Sequence, residues 1–358
     1  MRHMRRLAVI AALVSCAQID AMAQDQPAPA PEAAPPAAET PAAPVEPAPA
    51  PEAAPPPDPA AAAPVPEGPA DFASFGVSQL QCIIGGNGAT GEHNAGYNGV
   101  FHLAVPGKDE NLYVPFYAGV NLEHYFDSRP RSEDRKVFFE PRFSPMTFAK
   151  VNETTAELYQ PETPVYGVES WTRFEVKEPN YIDVTYRCVP KRGIFEGYMG
   201  VFWASYINAP LDKSIYFLGD GSLDTPIWAQ YCTQKHGHAS SVLSKEETAE
   251  LPYPPEGDTL FNSLSPLRYT EPFYYGRWRD MVLIYIFKPN PYLRFSHSPS
   301  GGGKTKDGDD TNPAWDFQMV IPDYEVGKEY TLEMRVVFKP WVDRADVLNE
   351  VRSYLGRL

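Results

Sequence analysis

Val168-Glu-Ser-Trp-Thr-Arg-Phe-Glu-Val-Lys177, then Glu178-Pro-Asn180, then Tyr181-Ile-Asp-Val-Thr-Tyr-Arg-Cys-Val189 decide the fold class. In the first run Val168, Phe174 and Val176 fall on one side of a two-residue period, and in the second Ile182, Val184, Tyr186 and Cys188 do the same. Such alternation marks strands buried on one face, because successive side chains of a strand point to opposite sides. Glu178-Pro179-Asn180 has turn chemistry, so the two runs form an antiparallel hairpin. Trp171 shares the polar side of its strand with Glu169 and Arg173. A large ring on a face otherwise left to water invites a ligand or a second packed layer.

The same period returns at Tyr330, Leu332, Met334, Val336 and Phe338, with Thr331, Glu333, Arg335 and Lys339 toward water. Further strands are predicted at 100–105, 113–117, 145–151, 156–160, 199–206, 215–218, 227–232, 281–287 and 315–321. Many short strands between Pro, Gly and Asn turns specify an all-β protein, here a large antiparallel β-sandwich. Two stretches read as helical: acidic 244–250, and 342–358, an amphipathic C-terminal helix with Ala345, Leu348, Val351, Leu355 and Leu358 on one face.

Outward from this body the chain changes character at Asp71: its 19 Phe, 6 Trp and 21 Tyr all follow that position. Residues 1–23 read as a signal peptide, with Arg2, Arg5 and Arg6 before the apolar run 7–14. Cleavage after Ala23, at the A-x-A site Ala21-Met22-Ala23, is the preferred reading. Leu13-Val14-Ser15-Cys16 also resembles a lipobox, and lipidation at Cys16 is the one route by which a membrane becomes a partner. Residues 24–70 are almost wholly Ala and Pro with isolated acids, and residues 27–36 recur identically as 47–56. Such a segment cannot bury a core; its composition predicts a disordered, proline-rich spacer of up to roughly 140 Å at about 3.1 Å per residue. Residues 71–358 show no second linker and are expected to form a single β-sandwich domain. The protein is expected to be exported, to a bacterial periplasm, cell surface or medium.

Of the net charge of −15, the leader carries +2 and the spacer −7, which leaves −10 on residues 71–358. That surplus repels phosphate backbones, so nucleic acid is not an expected partner. Past the leader Cys82, Cys188 and Cys232 remain, enough for one intramolecular pair or for three free thiols.

Aromatic rings beside short polar groups are how proteins grip sugars: a ring stacks on the apolar face of a pyranose while Asn, Asp or Arg takes its hydroxyls. Trp171, Arg173, Trp203, Tyr206 and Asn208 are the candidate ligand-binding residues of the central strands, although core packing is the preferred explanation of Trp203. Arg277 and Arg279 stand among Tyr274, Tyr275 and Trp278, and suit a carboxylated ligand unless they pair with the protein's own acids. His124, His236 and His238 are the candidate acid–base residues. His124 also suits a satisfied, half-buried histidine, and His236 and His238 flank Gly237 in what reads as a polar loop. Cys232, His236 and His238 offer zinc donors without a fourth ligand, and Asp307, Asp309, Asp310 and Asn312 offer calcium donors without an EF-hand series. No cofactor is expected. Ser298 to Thr305 lacks the first glycine of a phosphate loop, and no G-x-S-x-G, zincin or dinucleotide motif is present.

The block 168–210, with Gly197-Tyr-Met-Gly-Val-Phe-Trp-Ala-Ser-Tyr-Ile-Asn-Ala-Pro210 after the hairpin, resembles the central strands of the galactose mutarotase-like supersandwich. Aldose epimerases and the β-domains of polysaccharide lyases share that fold, and an uncharacterised family of secreted bacterial proteins carries a similar block. The resemblance implies a supersandwich and a carbohydrate ligand. Epimerases of this kind use a histidine and a glutamate as acid and base, and no motif here carries those roles to numbered positions. Three readings follow: an exported protein that binds carbohydrate or another small polar ligand; a carbohydrate-active enzyme, either an epimerase or a lyase with His or Tyr acid–base chemistry; and a non-catalytic structural envelope protein.

Overall fold

The computed structural model describes residues 71–88, 93–253 and 261–357; the leader, Cys16, the spacer and Leu358 lie outside the described residues. A small antiparallel sheet of β1 (Phe72–Val77), β2 (Leu80–Gly85) and β3 (Gly99–Ala104) precedes the main body. The chain continues through β4 (Asn121–Phe126), the short helices α1 (Arg135–Phe138) and α2 (Glu140–Phe143), β5 (Thr147–Asn152), β6 (Thr155–Gln160), β7 (Val168–Lys177), β8 (Tyr181–Pro190) and β9 (Met199–Ala204). It ends with β10 (Ile215–Gly221), β11 (Pro226–Tyr231), β12 (Ser241–Ser244), β13 (Leu264–Tyr269), β14 (Phe273–Trp278), β15 (Met281–Phe287), β16 (Leu293–Ser298), β17 (Ala314–Ile321), β18 (Tyr330–Pro340) and α3 (Arg344–Leu355).

The hairpin read from sequence is β7–β8, in register from Val168↔Pro190 to Lys177↔Tyr181. It lies within a nine-stranded sheet of order β11-β10-β14-β15-β18-β8-β7-β6-β5, and a six-stranded sheet of order β13-β12-β16-β17-β9-β4 faces it. Between them lies the core: Phe174, Ile182, Val184, Tyr186, Met334 and Val336 of the larger sheet meet Tyr125, Val201, Trp203, Phe295 and Phe317 of the smaller. The architecture is the all-β antiparallel sandwich with a C-terminal helix that the alternation implied. β18, the last strand, sits in the middle of the large sheet, paired to β15 on one side and β8 on the other.

Some elements differ from expectation. Residues 113–117 form a turn with one bridge at Tyr113, because Pro115 cannot donate to a ladder. Residues 245–250 are not helical: Glu247 is drawn to the buried Arg294, whose Nε lies 3.0 Å from its carboxylate. α3 buries Val347, Leu348 and Val351, while Ala345 is exposed. Asp343 caps its first turn through the Asp346 amide at 2.8 Å, and Gly356 closes it with φ 68°. Among the described residues Cys82, Cys188 and Cys232 are free thiols, the first two buried.

Candidate functional site

The site is built on an irregularity of β4. Its pairing with β9 slips between Leu122↔Trp203 and His124↔Phe202, so Glu123 is an extra residue in the strand. Leu122 and Tyr125 both enter the core. Glu123 and His124, held between them, turn to the opposite face, which is how a β-bulge re-aims side chains. Asn98 fixes the bulge from outside: its side chain accepts from the Leu122 amide at 3.0 Å and donates to the Leu122 carbonyl at 2.9 Å.

Glu123 is only 4 % exposed, and a bare carboxylate at that depth is costly. The surroundings compensate. Arg142 Nη1 donates to Glu123 Oε1 at 3.0 Å, the Tyr206 hydroxyl donates to the same oxygen, and His124 Nε2 lies 3.5 Å from Oε2. Burial alone would raise the Glu123 carboxyl, but the hydrogen bond and charge of His124, the Arg142 charge and the Tyr206 hydroxyl outweigh it and hold the group at about 2. The other imidazole nitrogen of His124 faces the Phe138 carbonyl at 2.6 Å, so both ring nitrogens have acceptors.

Arg142 comes from α2, whose carbonyls are satisfied by Asn87, at 2.7 Å to Ser144 O, and by Gln160, at 2.8 Å to Pro141 O. Its Nε donates to Gly96 O at 3.0 Å, and its guanidinium lies 3.8 Å from the Tyr97 ring centre. Tyr97 stacks on Tyr117 at 4.6 Å, and Tyr206 stands edge-on to both at 5.6 and 5.1 Å. Tyr97 and Tyr117 are half-buried, so this trio leads from the surface down to Glu123.

The polar floor continues across the outer face of the six-stranded sheet. Asp316 is buried on β17, where its Oδ1 accepts from the Ser205 amide at 2.9 Å. Burial, reinforced by the Glu123 charge, raises its carboxyl well above the ordinary carboxylate range. Gln318 donates to Ser241 Oγ at 2.7 Å and to Ser296 Oγ at 3.2 Å, while its Oε1 has no partner among the described residues. His236, exposed on the loop before β12, holds Ser298 Oγ at 2.8 Å through Nδ1. Its pKa is lowered by the protein packed around it, then by the Arg131 charge and His124, against the pull of Glu123. A shallow cleft, partly open to solvent, is lined among others by Phe126, Arg131, Tyr198, Phe261 and Phe138, whose ring packs on His124 at 4.3 Å.

The residues singled out from sequence are thus distributed over several places. His124 and Tyr206 share the Glu123 cluster, and His236 is close enough to feel its charges. His238 is exposed on the His236 loop. Trp203 is 1 % exposed in the core, stacked on Phe317 at 5.1 Å, so it faces the sheet interior rather than a cleft. Trp171 and Arg173 lie on the outer face of the other sheet: Trp171 sits between Tyr159 at 5.4 Å and the Arg187 guanidinium at 5.1 Å, and Arg173 pairs with Glu175 at 3.1 Å. Asn208 and Arg279 meet at a separate rim, where Arg279 pairs with Glu110 at 3.0 Å and donates to Ala209 O at 2.8 Å. Arg277 is exposed, with its guanidinium 4.7 Å from the Trp341 ring. Among the described residues no three His, Cys, Asp or Glu gather to hold a metal ion: His236 turns to Ser298, and Asp310 pairs with Lys213 at 2.6 Å.

Arg142, Tyr97, Asp316 and Gln318 were not found from sequence. One signal was available, since Leu122 and Tyr125 are three apart where an uninterrupted strand would space its core residues by two.

No protein-family model matches the sequence, and no curated protein matches it. Similar solved structures include a putative aldose 1-epimerase from Escherichia coli K12, with 10 % identity, TM-score 0.38, and coverage of 75 % of this chain and 99 % of that one. They also include a GalM/aldose epimerase homologue from C. elegans, with 11 % identity, TM-score 0.43, and coverage of 76 % and 99 %. A heparan sulfate lyase, HepC from Pedobacter heparinus, matches with 12 % identity, TM-score 0.39, and coverage of 74 % and 34 %. None of these assigns chemistry to a residue of this chain.

Proposed function

We propose that this is an exported carbohydrate-binding β-sandwich protein, held on an Ala/Pro-rich spacer, whose ligand rests against the rings of Tyr97 and Tyr117 above the six-stranded sheet. The observation that carries the reading is the bulge cluster: an ionised Glu123, tied to Arg142, His124 and Tyr206, at the foot of the half-buried rings of Tyr97 and Tyr117. Rings take the apolar face of a pyranose, and fixed acceptors and donors take its hydroxyls. Behind them the buried side chains of Gln318 and Asp316 continue the polar character of that face. The test is a glycan array probed with the purified chain, its Tyr97→Ala variant and its Trp171→Ala variant. Retention of at least one glycan class by the wild type, lost in Tyr97→Ala and kept in Trp171→Ala, is expected. An array without retention refutes the reading.

A second reading is a carbohydrate-active enzyme, and one observation favours it: an ionised carboxylate, an imidazole 3.5 Å away and a tyrosine hydroxyl converge at one point. Such a group can move a proton at a sugar ring. Polarimetry of fresh aldoses and ultraviolet absorbance from unsaturated uronates would detect epimerisation and elimination. Turnover abolished by Glu123→Gln supports the enzyme, and silence in both assays leaves binding.

A further inference from the structure

We propose that Phe116, on the turn beside Tyr117, is a second sugar-stacking subsite, so that the ligand is an oligosaccharide rather than a single sugar; this rests on the carbohydrate reading above. Val114-Pro115-Phe116-Tyr117 is a four-residue turn closed by the Tyr117 amide on Val114 O at 3.1 Å. Pro115 occupies its second position and Phe116 its third, where φ is 73°. A turn with Pro second and positive φ third asks for Gly there, because a side chain crowds the backbone in that region. For a bulky residue a positive φ is an outlier, and it persists only where the surroundings hold it.

The surroundings hold the backbone and leave the ring out. Phe116 O accepts from the Asn94 amide at 3.1 Å, the Val114 amide donates to Tyr206 O at 2.9 Å, and the Tyr117 ring is stacked on Tyr97. The Phe116 side chain is 42 % exposed and belongs to no core cluster. Glycine would make the same turn without strain and without an apolar ring in water, so the fold gains nothing from phenylalanine. Strain of this kind gathers at binding sites. The position fits: Phe116 lies within the turn that places the next residue, Tyr117, against Tyr206, whose hydroxyl reaches Glu123. The partly exposed rings of Tyr97 and Tyr117, with the exposed ring of Phe116 next in sequence, suit consecutive sugar units.

The experiment uses the full chain, wild type and Phe116→Gly, with monosaccharide methyl glycosides and the matching di- and tetrasaccharides of neutral glucans and of uronate polymers. Affinities come from calorimetry and the melting midpoint from ligand-free protein. The wild type is expected to bind tetrasaccharide at least tenfold more tightly than monosaccharide. Phe116→Gly is expected to keep the monosaccharide affinity, to lose the gain with chain length, and to melt no lower than the wild type, with a rise of up to roughly 4 °C as strain is removed against the added freedom of the unfolded chain. Equal wild-type affinity for one unit and four, a chain-length gain that survives in Phe116→Gly, or a lowered midpoint overturns the inference while the carbohydrate reading stands. A wild type that binds no sugar overturns both.

Discussion

Replacing Glu123 with Gln removes one charge and little volume, and its effect can be worked out beforehand. The carboxyl is held at about 2 against an ordinary 4.5, which at about 1.4 kcal/mol per tenfold change in equilibrium amounts to roughly 3 kcal/mol of folding stability at pH 7. The partner gives a similar figure. Arg142 is 6 % exposed, and Gly96 O and the Tyr97 ring are what it keeps once the carboxylate is gone; breaking a buried pair from one side costs about 3 to 5 kcal/mol. Because the folded-state value lies below the unfolded one, the contribution is whole above about pH 5 and drains away as pH falls from 4.5 toward 2. The gap between wild type and Glu123→Gln should therefore be about 3 kcal/mol at pH 7 and about 2 kcal/mol at pH 3.5. Urea unfolding followed by tryptophan fluorescence at both pH values reads it directly. A gap below about 1 kcal/mol at pH 7, or one that widens on acidification, would refute the view that Glu123 is an ionised, paired carboxylate.

Asp316 has the opposite sign. Its folded-state carboxyl lies well above the ordinary value, so its contribution is present in acid and lost as pH rises; the urea midpoint of Asp316→Asn should gain on the wild type between pH 5 and pH 8, and a constant difference would count against a neutral Asp316. Trp203→Ala opens a cavity between the sheets and should cost about 3 to 5 kcal/mol by the same unfolding measurement, with a cost under 1 kcal/mol ruling out its core position. Trp171→Ala removes a half-buried ring from the other sheet's outer face and should change stability by about 1 kcal/mol or less.

The sheets were legible where burial is one-sided. Along β7, β8 and β18 one face meets the core and the period of two survives in the sequence. β14 through β17 are buried along almost their whole length, because loops or α3 cover their outer faces, and there alternation fades; β14 and β16 were missed for that reason, while β15 and β17 showed as apolar runs. Residues 244–250 misled because an acidic stretch suits a helix, whereas the partner that decides its shape, Arg294, lies 47 residues from Glu247. The site was half legible. His124 stood out beside a charged loop, but Arg142 is 19 residues from Glu123 and Tyr206 is 83 away, and a single extra residue in β4 is what brings them to one point.

The place of β18 has a consequence for how the molecule comes into being. Until Tyr330–Pro340 is inserted, β11-β10-β14-β15 and β8-β7-β6-β5 are two half-sheets with no hydrogen bond between them. A chain made from its N-terminus therefore cannot close its larger layer until β18, which follows all its neighbours in sequence, has been made. Order of synthesis thus acts as a timing device: the strand that locks the sandwich is made after every other described strand.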